Sequence, residues 1–145
     1  MPAIVLYVSY FGNTKILAEK LAAELNTTEI YGSVFGRFRA FLHMLRMLGG
    51  KYPTLDLKQY DVIYVGCPVW AGAPAPSLKK LLNNYDLTGK EMRFFTRAGS
   101  GNAERVPQAL EALTTEKGAI LAKSVVINGT DLEDEIKMKF EELIA

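Results

Sequence analysis

Residues 9–14, Ser9-Tyr10-Phe11-Gly12-Asn13-Thr14, join two segments of different character. The six residues before them, 3–8, are all apolar and rich in β-branched and aromatic types, which predicts a buried strand. After them, Leu17, Leu21 and Leu25 fall on one stripe of an amphipathic helix that we predict over residues 14–25. The first N–H groups of a helix lack internal partners and carry its positive dipole end, so this junction predicts an anion site.

The side chains of the junction suit this chemistry. The hydroxyls of Ser9 and Thr14 can donate to an anion, while Gly12 permits a positive φ and close approach of the backbone. Asn13 can hold the loop conformation. The alternative is that these residues only form the turn and cap the helix, and the hexapeptide alone does not separate the two interpretations.

Two further predicted strands end in loops with related properties. Residues 62–67 form a second apolar run, which leads into a loop over 68–76 with three prolines and the only tryptophan, Trp70. A third strand, predicted over 92–95, leads into a loop over 96–102 rich in glycine and hydroxyl residues. In an open parallel sheet such loops meet at the carboxyl edge, where ligands bind.

With these three motifs in this order, the chain resembles the flavodoxin family. Residues 9–14 resemble the family's phosphate loop, and residues 68–72 and 96–101 resemble its two flavin-flanking loops. The resemblance covers essentially all 145 residues. It implies one domain over residues 1–145, of α/β class: a three-layer, doubly wound, five-stranded parallel sheet that is flavodoxin-like, with strand order 2-1-3-4-5.

The resemblance also implies FMN as a non-covalent cofactor. It assigns to FMN Ser9, Tyr10, Phe11, Gly12, Asn13, Thr14, Pro68, Val69, Trp70, Ala71, Gly72, Thr96, Arg97, Ala98, Gly99 and Gly101. A lone tryptophan is more often a partly buried packing residue. The position of Trp70 in a proline-bounded loop after a buried strand favours stacking on the flavin ring instead.

The chain departs from the family pattern at three points. Phe11 stands where the phosphate loop usually has a second hydroxyl, and a lost hydrogen bond to a charged group costs about 1.5–3 kcal/mol. The second flanking loop contains no aromatic residue, so Trp70 is the only obvious partner for the ring. The net charge is +1, whereas many flavodoxins are strongly acidic.

Composition narrows the class of protein. With 17 Lys and Arg against 16 Asp and Glu, nothing in the overall charge points to nucleic acid or to a membrane surface. The single cysteine, Cys67, excludes an internal disulfide and is consistent with a reducing compartment. The N-terminal apolar run has no charged segment before it, and no apolar stretch approaches the ~20 residues of a spanning helix. We therefore expect a cytoplasmic protein without a membrane span.

Other chemistries lack support in the sequence, and we predict no catalytic or metal-binding residue. Cys67 ends a core strand and is most simply a buried hydrophobe, while His43 is interpreted as structural or surface. The loops carry no paired carboxylates for acid–base hydrolysis. A phosphoryl-transfer site is disfavoured because the chain has no Gly-x-x-x-x-Gly-Lys-Ser/Thr motif.

The remaining periodicities predict further elements. Thr130 and Glu133 have the spacing of a capping box before the last helix, and Pro107 is expected in or near the first turn of the helix that ends near Leu113. The other predicted elements are a strand over 28–31, a helix over 33–48, a helix over 76–83 and a strand over 119–127.

These observations favour an electron carrier between a reductase and an acceptor, with redox proteins as donor and acceptor partners. One alternative is an FMN-dependent oxidoreductase that passes electrons from NAD(P)H to a quinone or another small acceptor. Another is a flavodoxin-like module that has lost its cofactor.

Residues 30–55 contain Arg37, Arg39, Arg46 and Lys51 without any Asp or Glu, and they are unusually rich in large apolar residues. We expect this segment to form a surface for a partner or a homodimer seam. The alternative is a broad apolar stripe buried within the chain.

Overall fold

The structure is a computed structural model that describes residues 2–10, 12–35, 54–70, 72–99 and 103–145. In these ranges strands and helices alternate along the chain. The strands are β1 (Ile4–Tyr10), β2 (Ile30–Phe35), β3 (Val62–Trp70), β4 (Ala73–Pro74), β5 (Glu91–Ala98) and β6 (Ile120–Asn128). The helices are α1 (Asn13–Glu24), α2 (Ser77–Leu82), α3 (Val106–Glu116) and α4 (Glu133–Ile144). Within the same ranges, no helix is long and apolar enough to cross a bilayer.

The five long strands form one parallel sheet in the order β2-β1-β3-β5-β6. The two-residue β4 pairs antiparallel with the end of β3. The predicted fold class is confirmed, because the five long strands follow the predicted order 2-1-3-4-5 and the short β4 is an addition. Every residue of β1 is buried, as expected for a strand with neighbours on both sides and helices on both faces.

Helices cover both faces of the sheet. Alternate residues of each strand point to opposite faces, so each strand contributes to two separate cores. On one face α1 and α4 pack against strand residues that include Val5, Tyr7 and Phe95. On the other face α2 and α3 pack against strand residues that include Leu6, Val65 and Phe94. This three-layer arrangement brings the carboxyl ends of β1, β3 and β5 to one edge.

Strand β2 is longer and lies later in the chain than the sequence predicts. Its register with β1 runs from Ile30 opposite Val5 to Phe35 opposite Tyr10. Residues 33–35 therefore belong to a strand, and the predicted start of a helix at residue 33 is wrong, because pairing with β1 satisfies this backbone. The rest of that predicted helix lies outside the described residues, as do His43 and the four basic residues of the predicted partner surface.

Strands β3 and β5 extend into segments predicted as loops. Pro68 lies opposite Arg97 in the β3–β5 ladder, and Ala98 lies opposite Asn128 in the β5–β6 ladder. Thr96, Arg97 and Ala98 are therefore strand residues, and the second loop begins only at Gly99. Local periodicity could not reveal this extension, because it depends on partners from other parts of the chain.

The capping box predicted at Thr130 and Glu133 is wrong. Leu132 is the N-cap of α4, without a capping hydrogen bond from its side chain, and it is 70% exposed. The Asp131 carboxylate instead accepts a hydrogen bond from the N–H of Asn128. The expected proline in the first turn of α3 is confirmed.

Candidate functional site

The sheet splits at its carboxyl edge between β1 and β3. Pairing of these two strands ends at Tyr7 opposite Gly66. Beyond that point β1 stays paired with β2 up to Tyr10, and β3 stays paired with β5 up to Pro68. The strand ends therefore diverge into a crevice. Connections leave β1 and β3 toward opposite sides of the sheet here, which is where doubly wound sheets bind ligands.

One wall of the crevice is the junction of β1 and α1. Gly12 is the N-cap of α1 and adopts the left-handed conformation, with φ 86° and ψ −2°. The N–H of Lys15 donates to Ser9 Oγ at 3.2 Å, and the N–H of Ile16 donates to the Gly12 carbonyl at 3.1 Å. The two earlier helix N–H groups, those of Asn13 and Thr14, have no partner among the described residues. They are the donors available to an anion.

Ser9 is completely buried beneath this junction. Its oxygen already accepts the hydrogen bond from Lys15, but a hydroxyl can accept and donate at the same time. The Ser9 hydrogen therefore stays free to donate. The Ser9 side chain also holds the first turn of α1 through this hydrogen bond. Its position is therefore compatible both with anion binding and with a purely structural role in the turn.

The opposite wall is a tight hairpin at the end of β3. Val69 pairs with Pro74 and Trp70 pairs with Ala73, so only two residues form the turn. Gly72 has a φ of 80°, which a side chain would disfavour. The Ala75 N–H donates to the Pro68 carbonyl at 2.9 Å and closes the base of the hairpin. This turn holds Trp70 on a short, hydrogen-bonded ribbon.

Tyr10 supports Trp70 from the core. The two ring centroids are 4.4 Å apart, with the ring planes tilted by 40°. Tyr10 is buried, and this burial raises the pKa of its phenol, although a hydrogen bond with Ser77 opposes the shift. Trp70 is only partly buried. Tyr10 therefore covers one part of the indole, while another part of Trp70 stays accessible at the surface.

The end of β5 carries the positive charge of Arg97. Arg97 is partly buried, and it makes no ion pair with any residue that the structure describes. A Cβ placed on Gly129 would lie 3.2 Å from the Arg97 Nη2 atom, so the guanidinium lies directly over that glycine. Its neighbour Thr96 is fully buried, with Oγ1 3.5 Å from the Val125 carbonyl, and faces the interior.

The sequence comparison identifies the family. A family model described as Flavodoxin matches residues 50–143, which is more than half of the chain. The chain belongs to the flavodoxin family. No curated protein matches it significantly in sequence.

Solved structures share the flavodoxin fold at low sequence identity. A flavoprotein from Lactobacillus acidophilus NCFM in complex with FMN is 22% identical, with a TM-score of 0.65 over 86% of this chain and 93% of its own. Oxidised flavodoxin 1 from Bacillus cereus is 19% identical, with a TM-score of 0.59 over 98% and 95%. A Bacteroides eggerthii protein provisionally named a flavoprotein is 16% identical, with a TM-score of 0.67 over 99% of both chains.

In this flavodoxin-family protein the predicted ligand residues come from three strand ends that adjoin in the sheet. Ser9 and Gly12, Trp70 and Gly72, and Arg97 lie at these ends. The Tyr10 ring and the Thr96 hydroxyl point into the protein and do not offer a ligand surface. Phe11, Ala71 and Gly101 lie outside the described residues, so their assignment stays a prediction.

Cys67 is confirmed as a buried hydrophobe. It is fully buried on β3, and burial raises the pKa of its thiol to about 12. The described part of the chain contains no group of three His, Cys, Asp or Glu residues that could hold a metal ion.

Sequence reasoning overlooked the turn between β6 and α4. The N–H of Gly129 donates to the Ala98 carbonyl at 2.8 Å and lies 3.3 Å from the Gly99 carbonyl. An Asn-Gly pair at 128–129 is a strong turn signal, and it could have marked this contact with the second loop.

Proposed function

We propose that this protein binds FMN in the crevice between β1 and β3 and carries electrons between redox proteins. The proposal rests on one observation: two walls with different chemistry face each other across the split between β1 and β3. One wall has the open N-terminus of α1 at Gly12, and the other has the partly exposed ring of Trp70. A phosphate donor set facing a flat aromatic matches the two ends of a flavin mononucleotide.

The residues of the crevice fit the phosphate end. The free N–H groups of Asn13 and Thr14 and the Ser9 hydroxyl supply donors, and the missing side chain at Gly12 leaves the approach clear, since a Cβ there would meet no atom within 4 Å. Residues 9–14 carry no cation, so the phosphate would be held mainly by backbone dipoles. A bound mononucleotide suits such a site better than a phosphoryl donor does.

The residues of the hairpin fit the ring end. FMN supplies one- and two-electron transfer when bound, and the chain supplies position and electrostatics. The contact with Tyr10 restrains the indole of Trp70 before any ligand arrives, which lowers the entropy cost of stacking. In this proposal the protein is a single cytoplasmic domain, and its one cysteine, a buried free thiol, is consistent with a reducing compartment.

One observation favours the second candidate, an FMN-dependent oxidoreductase that takes electrons from NAD(P)H to a quinone or another small acceptor. Arg97 has no counter-charge in the described residues, and it lies near the end of β5, two residues before the second flanking loop begins. A cation at that place stabilises negative charge gained on reduction of the cofactor. It would raise the second one-electron potential toward the first, which suits two-electron chemistry.

Flavin titration of the cofactor-free protein tests the binding proposal. Trp70 is the only tryptophan, so selective tryptophan excitation reports on the proposed stacking residue alone. We expect FMN to quench this emission near stoichiometrically, and riboflavin to bind at least tenfold more weakly, because hydrogen bonds to a charged phosphate contribute about 1.5–3 kcal/mol each. Equal affinity for both flavins, or no binding of either at micromolar concentration, would refute the proposal.

A second experiment separates the two functions. Well-separated one-electron potentials, together with no direct oxidation of NAD(P)H, support the carrier. Steady-state oxidation of NAD(P)H coupled to reduction of a soluble quinone supports the enzyme.

A further inference from the structure

The turn over residues 128–131 connects β6 to α4 and lies outside the three loops assigned to the flavin. It is closed by two hydrogen bonds. The Asp131 N–H donates to the Asn128 carbonyl at 3.0 Å, and the Asn128 N–H donates to Asp131 Oδ2 at 3.0 Å. One backbone hydrogen bond and one hydrogen bond to the Asp131 carboxylate therefore stabilise the same turn.

Lys139 of α4 forms an ion pair with the Asp131 carboxylate. Lys139 Nζ donates to Asp131 Oδ2 at 2.5 Å and to the Val126 carbonyl at 2.8 Å. The Asp131 side chain is only 7% exposed, so this ion pair is much less accessible to water than a surface pair. Hydrogen bonding to Lys139 holds the pKa of Asp131 below its usual value, so the ion pair persists to lower pH than it would with an unperturbed carboxyl group.

The turn over residues 128–131 contacts the second flanking loop at Gly129. The Gly129 N–H donates to the Ala98 carbonyl. A Cβ added to Gly129 would lie 3.1 Å from the Gly99 carbonyl oxygen and 3.2 Å from Arg97 Nη2. Both distances are tighter than ordinary side-chain contacts, so a side chain at this position would push the Gly99 carbonyl or the Arg97 guanidinium aside by a few tenths of an ångström. The turn therefore contacts the backbone of Ala98 and Gly99, where the second loop begins, and the guanidinium of Arg97.

We propose that Asp131, Lys139 and Gly129 are positioning residues for the second flavin loop. The Lys139–Asp131 pair sets the turn, and Gly129 transmits its position to Ala98, Gly99 and the guanidinium of Arg97. This inference rests on the proposed function, since it assigns the loop to the flavin. It adds that α4, which supplies no residue to the crevice, controls where that loop and its charge lie.

Two substitutions test the network from different sides. Asp131→Asn removes the charge but keeps a side chain of the same shape, and Gly129→Ala adds one methyl group at the contact. The matched control is Glu133→Gln on the same helix as Lys139, which breaks the exposed pair between Glu133 and Lys20 of α1. Circular dichroism of each cofactor-free variant checks that the fold is retained, and Lys139→Met replaces Asp131→Asn if that variant does not fold.

The first readout does not need the cofactor. Amide hydrogen exchange at Gly129 in the flavin-free protein should accelerate at least tenfold in Asp131→Asn and stay unchanged in Glu133→Gln. Unchanged exchange in Asp131→Asn overturns the proposal, because the carboxylate would then not hold the turn.

The second readout uses FMN. We expect FMN to bind about three- to tenfold more weakly to Asp131→Asn and Gly129→Ala, with a shift in the second one-electron potential as Arg97 moves. The FMN-to-riboflavin affinity ratio should be unchanged, since the phosphate loop is untouched. Wild-type affinity and potentials in both variants overturn the proposal. Failure of the wild-type protein to bind FMN refutes the proposed function instead, and the exchange experiment then tests the turn by itself.

Discussion

Arg97 is the side chain that we expect to influence the proposed redox site most. Its guanidinium is partly buried over Gly129 and meets no carboxylate in the part of the chain that the structure describes. Buried charges are usually paired, because desolvation of an unpaired ion is costly. Within the described residues, the charge of Arg97 is therefore available to the ligand that we propose for this strand end.

Arg97→Ala should lower the second one-electron potential of bound FMN. A unit charge about 6 Å from the ring, at an effective dielectric constant near 20, contributes roughly 3 kcal/mol, and solvent reduces this to about 1 kcal/mol. That corresponds to a shift of about 40 mV, measured by spectroelectrochemistry. Arg97→Lys should retain most of the effect, and Lys137→Ala on exposed α4 should show none. A potential that stays the same or rises would mean that the guanidinium points away from the ring.

Cys67 offers a probe of the core. The thiolate is the reactive form, and burial raises the pKa of this thiol to about 12, so the native protein should not react with thiol reagents at neutral pH. Reaction should appear only as urea unfolds the chain, and labelling at increasing urea measures it. No other cysteine contributes to the signal. Rapid labelling without denaturant would show that β3 is accessible in solution.

Local chemistry at both ends of helix α1 positions this helix, whose N-terminus we propose to bind phosphate. It begins at the left-handed Gly12 and ends in a Schellman motif, in which the Asn26 N–H donates to the Ala23 carbonyl and the Thr27 N–H to the Ala22 carbonyl. Asn26 has a φ of 55°, which residues with a Cβ adopt at a cost. The Thr27 hydroxyl then donates to the Ala3 carbonyl and ties this end to β1.

Asn26→Gly should raise the free energy of unfolding by about 0.5–1 kcal/mol, because glycine adopts positive φ without strain, and Asn26→Ala should lower it by about 1 kcal/mol. Urea denaturation followed by circular dichroism measures both. Asn83→Gly is the control, since Asn83 caps α2 with an ordinary φ of −63° and should gain nothing. Equal effects at the two positions would contradict the role of the left-handed conformation.

Packing across the molecule depends on Arg93, which joins the sheet to the last helix. Its Nη1 donates to the carbonyls of Leu143 and Ile144 at 2.9 and 2.6 Å, and its Nε donates to Glu91 at 3.0 Å. The guanidinium carbon lies 5.9 Å from the centroid of the Tyr64 ring. These contacts satisfy the free carbonyls at the end of α4 and fix that helix on its face of the sheet.

Arg93→Met should lower the free energy of unfolding by about 2–4 kcal/mol, since several hydrogen bonds from one charged and largely buried group are lost together. Urea unfolding measures the loss. The exposed pair of Lys15 and Glu19 provides the control, and Glu19→Gln should change stability by less than about 0.5 kcal/mol. A loss as small as that of the control would show that α4 is held by its apolar side alone.

Local patterns in the chain were sufficient for the alternating elements, whereas the strand order came from the resemblance to the flavodoxin family. Apolar runs, helical stripes and three strand-ending loops predict the alternating order of elements, because period and turn chemistry act over a few neighbouring residues. The same patterns singled out Gly12 and Trp70. They failed where the outcome depends on pairing: Thr96 and Arg97 were expected in a loop, yet both lie in β5.

The remaining features of the candidate site come from contacts between distant segments. Tyr10 packs against Trp70 because the sheet places β1 beside β3. Gly129 contacts the second loop because the sheet places β5 beside β6. No local pattern encodes these distances, since each partner satisfies its own periodicity whether or not the other is present. Sequence therefore names the residues that we propose to bind a flavin, and packing sets which of their atoms are exposed and which are buried as support.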